Sequence, residues 1–93
     1  MNRQKSAGIT VFVTYANYAF PVPNARITVN SGGHSKQYLS NSEGKSENIV
    51  LPQGVYDVTV CADGFFDRTF LQVNVDEDVE LLLNAELFPL YTV

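Results

Sequence analysis

The sequence of 93 residues has no tryptophan, one cysteine, Cys61, and one histidine, His34. A single cysteine excludes an internal disulfide, and with it the framework of a disulfide-stapled secreted domain. A single histidine excludes multi-histidine metal sites. No apolar run approaches the roughly 20 residues of a membrane span, and none follows the first charges as in an export signal. As written, the chain is expected to be cytoplasmic, or to belong to the cell envelope if it is a fragment of a longer exported protein.

Basic residues are also few, with 6 Lys and Arg against 10 Asp and Glu and a formal net charge of -4. Such a chain repels a phosphate backbone, so nucleic acid is excluded as a partner. Only Arg3 and Lys5 lie close together. The composition, 45% hydrophobic and 17% charged, is typical of a folded globular chain, and the length predicts one domain.

Apolar residues recur at alternate positions, and turn-forming residues interrupt them about every 8–12 residues. This pattern predicts an all-β fold, an antiparallel β-sandwich of about seven strands. The polar run 34–40 predicts a short edge strand. The side chains expected to face the core are Ile9, Val11, Val13, Tyr15, Ala25, Ile27, Val29, Tyr56, Val58, Val60, Ala62, Leu71, Val73, Val75, Val79, Leu81 and Leu83.

The predicted organisation has three parts. Residues 1–7 form a flexible N-terminal segment, and residues 8–84 form the sandwich. Residues 85–93 are an apolar tail, in which Pro89 argues against a central strand and favours a docked segment.

Two stretches carry a family resemblance, "FPVPNARITV" and "LSNSEGKSENIVLPQGVYDVTVCADGF". Their proline turn, Leu-Pro-x-Gly-x-Tyr and closing Gly-aromatic pair resemble the carboxypeptidase regulatory-like domains. The resemblance implies a sandwich of transthyretin-like (prealbumin-like) Greek-key topology and a non-catalytic accessory role. The sequence departs from the family pattern at Ser40-Asn41, where threonine–aspartate is usual, and at Ser46, where an apolar residue is common.

Three polar features are interpreted structurally. His34 follows Gly32-Gly33 and is expected to be a solvated turn residue. Cys61 is expected to be a small hydrophobe with a thiol pKa raised by Asp57 and Asp63, although a stabilised thiolate would make it a nucleophile. The acidic run Asp76–Glu80 is expected to be a solvated turn, with Ca²⁺ binding as the alternative.

Tyr15, Tyr18 and Phe20 cluster around the proline loop. Alternation buries one or two of them, which favours core and loop packing for the group. The alternative is an exposed aromatic platform for a sugar or a protein. These three residues are the strongest ligand-binding candidates in the sequence.

No nucleophile, metal-ligand or phosphate-loop pattern is present, so no enzymatic activity, cofactor or metal is predicted. The first hypothesis is a structural or interaction module, a spacer or docking domain for a neighbouring domain or partner protein, associated with a bacterial cell surface or wall. The alternative is a carbohydrate- or cell-wall-binding module that uses the loop aromatics. Self-association through an edge strand or the apolar tail is a further possibility.

Overall fold

The structure is a computed structural model that describes residues 7–90. Within this range the chain forms seven β-strands in two sheets and no helix, which confirms the all-β prediction. The strands are β1 Gly8–Tyr15, β2 Arg26–Ser31, β3 His34–Leu39, β4 Ile49–Val50, β5 Gly54–Cys61, β6 Arg68–Val75 and β7 Glu80–Leu87. Residues 7–90 thus lack any helical segment of the length and hydrophobicity that crossing a membrane requires.

The smaller sheet has the order β4-β1-β7 and the larger has the order β3-β2-β5-β6. The larger sheet is antiparallel throughout and has β3 at one edge, as the polar run 34–40 predicted. In the smaller sheet, β1 and β7 pair in parallel from Gly8↔Glu80 to Tyr15↔Leu87, so the expectation of a wholly antiparallel sandwich is wrong. The alternation of apolar and polar residues shows which face of the sheet a side chain occupies, but it does not show whether the neighbouring strand is parallel or antiparallel. The long connection that parallel neighbours need is supplied by the chain between β1 and β7.

The core lies between the two sheets. Ile9, Val11 and Val13 alternate along β1 with no exposed surface, as predicted. Burial stabilises the fold by about 1.5–3 kcal/mol for each large aliphatic side chain. The other apolar residues with no exposed surface are Ala25, Ile27, Val58, Val60, Val75, Ala85 and Leu87.

Two predicted core positions are wrong, Leu71 and Val79. Leu71 is 72% exposed because Tyr56 pairs with Val73 while Val58 pairs with Phe70, so β6 has one extra residue. This bulge reverses the alternation, and Phe70 packs against the core instead. Val79 precedes β7 and is 38% exposed.

The bulge is held by a side chain of the neighbouring strand. Gln72 has a left-handed backbone conformation with φ 56, and its N–H donates to Asp57 Oδ1 at 3.0 Å. A bulge leaves ladder groups unpaired, and the carboxylate replaces one missing partner. Asp57 therefore fixes where the register of β6 changes.

Strand β7 continues to Leu87, beyond the predicted end of the sandwich at Asn84, because Ala85 and Leu87 remain on the buried face. The residues after β7 then pair with the segment that follows β5. The contacts are Phe66 N–H to Phe88 O at 2.9 Å, Leu90 N–H to Gly64 O at 2.9 Å, and a bridge between Phe65 and Pro89. At the other end, residues 1–6 of the predicted N-terminal segment lie outside the described residues.

Two buried serines in the segment between β3 and β4 hydrogen-bond to backbone groups of β1 and of the loop between β1 and β2. Ser40 Oγ accepts the Ala25 N–H at 2.9 Å and donates to Val22 O at 2.8 Å. Ser46 Oγ accepts the Val11 N–H at 2.9 Å. Both serines are among the residues at which the sequence differs from the pattern that it resembles, and both hydroxyls have a structural role.

Candidate functional site

The loop after β1 carries the three aromatic residues that the sequence singled out. Tyr15 ends β1 and packs against the core. Tyr18 and Phe20 are 62% and 64% exposed. The expected core packing is thus found for Tyr15, while Tyr18 and Phe20 present their aromatic rings to solvent.

The rings form one contact cluster. Tyr18 and Phe20 are parallel, with an interplanar angle of 6° and centroids 6.1 Å apart. Tyr15 meets Tyr18 edge-on at 5.3 Å and meets Phe65 edge-on at 5.2 Å. Edge-to-face and offset-parallel geometries are the favourable ones for aromatic pairs. We call Tyr15, Tyr18, Phe20 and Phe65 the aromatic cluster.

Sequence reasoning missed Phe65 as a member of the cluster. Its Gly-aromatic pattern predicts a turn, and Phe65 lies 50 residues beyond Tyr15 in the chain. Only the packing of the two sheets brings the residues together. An isolated backbone bridge pairs Phe65 with Pro89.

Two residues next to the exposed rings have an unusual backbone conformation. Asn17 and Ala19 have φ angles of 74° and 61°, in the left-handed region. Asparagine tolerates this region, but alanine is strained there by roughly 1–2 kcal/mol. Hydrogen bonds hold the loop in place: Ala19 N–H donates to Tyr15 O at 3.0 Å, and Tyr15 N–H donates to Phe20 O at 2.8 Å. The exposed residues Tyr18 and Phe20 are each next to a left-handed residue in this hydrogen-bonded turn.

Cys61 is half-buried at the end of β5. Burial raises the pKa of its thiol, a hydrogen bond and the charge of Asp67 raise it further, and Arg26 opposes them. The predicted direction is confirmed, but Asp67 is the acid responsible rather than Asp57 and Asp63. Asp63 instead pairs with Arg26, with an N···O distance of 3.4 Å. A raised pKa makes the thiol a poor nucleophile at neutral pH.

The remaining polar candidates are dispersed. His34 is exposed and is the first residue of β3, paired with Ser31, rather than a turn residue. The acidic run Asp76–Glu80 is exposed around a turn before β7. Within residues 7–90 no three His, Cys, Asp or Glu side chains are grouped so that they would hold a metal ion.

No family model matches the sequence, and comparison with curated proteins gives no match. Solved structures do match. A chain of a type II cohesin-X-dockerin complex from Acetivibrio cellulolyticus matches with 18% identity and a TM-score of 0.60, over 86% of this chain and 55% of that one. The shared property is the fold.

Two further structures match at a TM-score of 0.67. The Bacillus anthracis TIE protein is 12% identical, with 92% of this chain and 17% of that chain covered. A proposed carbohydrate-binding protein from Bacteroides uniformis is 13% identical, with 88% and 41% covered. In all three matches this chain spans little more than half of the other chain, or less.

Proposed function

We propose that this chain is a non-catalytic interaction module, a docking domain or spacer that engages a neighbouring domain or partner protein through the aromatic cluster. The observation that carries the proposal is the pair of parallel, solvent-exposed rings of Tyr18 and Phe20 on a hydrogen-bonded loop. Exposed apolar groups in a fixed arrangement mark interaction sites. Because the loop is already ordered, little conformational entropy is lost when a partner binds.

The finer parts of the proposal come from family resemblance. We propose a transthyretin-like Greek-key sandwich related to the carboxypeptidase regulatory-like domains, acting at a bacterial cell surface or wall. The likeness to a chain of the cohesin-X-dockerin complex supports an assembly role by analogy of fold.

The geometry of the rings also favours a second candidate, carbohydrate binding. Parallel rings present π-faces against which the C–H faces of a sugar can pack. The fold likeness to the proposed carbohydrate-binding protein agrees with this candidate. The two candidates use the same residues and differ in the ligand.

The test places a photo-crosslinking amino acid at position 18 of the protein, and separately at position 71, in the organism that carries its gene. Leu71 is the control because it is also a large, solvent-exposed side chain with apolar surface but lies on β6. We expect position 18 to capture a defined protein that position 71 does not. The affinity of that purified protein should fall about tenfold or more in Tyr18→Ala, as for an aromatic hot spot, and remain unchanged in Leu71→Ala.

A glycan array with the same variants separates the candidates. Glycan binding that is lost in Tyr18→Ala would favour the carbohydrate-binding function. A captured protein that binds Tyr18→Ala and the unaltered chain equally would refute docking through the aromatic cluster.

A further inference from the structure

A second surface lies on the outer face of the small sheet, away from the core. It is a groove of about 850 Å³ between the start of β7 and the segment that leads from β3 to β4. Phe12 lines this groove and Tyr15 belongs to the aromatic cluster; the two residues are about 10 Å apart along β1 and their side chains lie on opposite faces of the strand. The groove is therefore a separate site, which the proposed function does not use.

The floor of the groove is apolar. Phe12 projects from the middle strand, and Leu39 and Leu82 flank it from either side. Leu82 is 65% exposed although it lies within a regular strand. Three large apolar side chains at one concave site provide surface that a partner can remove from water.

The rim of the groove is acidic. Glu43, Glu47 and Glu80 are exposed along it, and among residues 7–90 Lys45 is the one cationic side chain that lines it. Lys45 Nζ lies 5.7 Å from the centroid of the Phe12 ring, where a cation–π interaction holds it over the floor. In the part of the chain that the structure describes, none of the three carboxylates forms an ion pair.

The negative charge of the rim favours a cationic partner over a second copy of this chain. A second copy of this chain has a net charge of -4 and would bring more negative charge to an acidic rim. We propose that the groove binds a cationic segment of a partner protein, with apolar side chains on the Phe12–Leu39–Leu82 floor and flanking Lys or Arg side chains against Glu43, Glu47 and Glu80. Such a segment would bury Leu39 and Leu82 and form ion pairs with the three carboxylates of the rim.

The test uses nine-residue peptides and backbone amide NMR of the full chain. The cationic probe is acetyl-Thr-Lys-Thr-Leu-Thr-Leu-Thr-Lys-Thr-amide. One control replaces both Lys by Glu, and the other replaces both Leu by Thr. We expect the cationic probe to shift the amide resonances of Phe12, Lys45 and Leu82, and each control to bind at least tenfold more weakly. Raising NaCl from 0.05 to 0.5 M should weaken binding, because the rim is exposed.

Variants of the chain locate the site. Leu82→Ser should weaken binding about tenfold, and Glu47→Gln about threefold, the size of an exposed charge pair. Leu71→Ser on the other sheet should have no effect. Tyr18→Ala should also have no effect, so this proposal can fail or succeed independently of docking through the aromatic cluster.

Three outcomes would overturn the proposal. The first is equal binding of the acidic and cationic peptides, and the second is peptide-induced shifts centred on Tyr18 and Phe20. The third is a concentration-dependent shift of Phe12 and Leu82 without peptide, which would make a second copy the occupant.

Discussion

Replacing Ser40 by alanine removes one hydroxyl that serves two buried backbone groups. The Ala25 N–H loses its acceptor at 2.9 Å and Val22 O loses a donor at 2.8 Å, and Ser40 is only 3% exposed. Leaving a buried polar group without a partner costs about 1–3 kcal/mol, so two such groups together should lower the free energy of unfolding by about 2–6 kcal/mol. In a domain of this size each kcal/mol lost lowers Tm by roughly 4–8 °C.

Urea unfolding at 25 °C, followed by circular dichroism, measures the effect. The midpoint should fall while the slope with urea stays constant, which identifies a change of stability rather than of compactness. Ser42→Ala, in the exposed turn two residues later, is the matched control and should change stability by less than about 0.5 kcal/mol. A loss in Ser40→Ala no larger than in Ser42→Ala would refute the structural role of the hydroxyl.

Three further substitutions test other features. Gly44→Ala should destabilise the fold by more than about 3 kcal/mol, because Gly44 has φ 76 and an added Cβ would overlap a backbone oxygen of β1. Asp67→Asn should lower the thiol pKa of Cys61 by removing the adjacent negative charge, and so speed alkylation of the folded protein at pH 7.5. Ala19→Gly should raise the free energy of unfolding by up to about 1 kcal/mol, because glycine relieves the left-handed strain.

Two of these tests have a control, and the third has a refuting outcome. Gly33→Ala also adds a Cβ at positive φ, but nothing lies within 4 Å, so it should cost only about 1 kcal/mol; equal losses at both glycines would argue against the overlap. In urea, Cys61 should react at the same rate with and without Asp67→Asn. A loss of stability in Ala19→Gly would show that the loop is not strained.

The sequence predicted the core well where a strand is regular. Alternation alone placed Ile9, Val11 and Val13, since each pleat turns successive side chains to opposite faces. The same rule failed at Leu71, because a bulge adds a residue that composition does not reveal. The parallel pairing of β1 with β7 was missed for a related reason, since strand direction depends on the path of the whole chain.

Only the part of the candidate site that is formed by residues close together in the sequence could be predicted. Tyr15, Tyr18 and Phe20 lie within six residues of one another, so their proximity could be inferred. Phe65 joins them through tertiary packing, and the left-handed conformation of Ala19 has no signature in the sequence. The groove was missed because Leu39 and Leu82 lie on different sheets and are far apart in the chain.

The parallel pairing of β1 and β7 determines how the domain responds to tension. The chain enters β1 at Gly8 and leaves β7 at Leu87, at opposite ends of the pair and roughly 25 Å apart. Pulling on these two ends loads every hydrogen bond of the ladder in shear at once, whereas pulling on Arg26 and Leu39 would peel the β2–β3 hairpin one bond at a time. Single-molecule force spectroscopy should therefore measure a higher rupture force for the first geometry than for the second, and the reverse order would contradict this mechanical hypothesis.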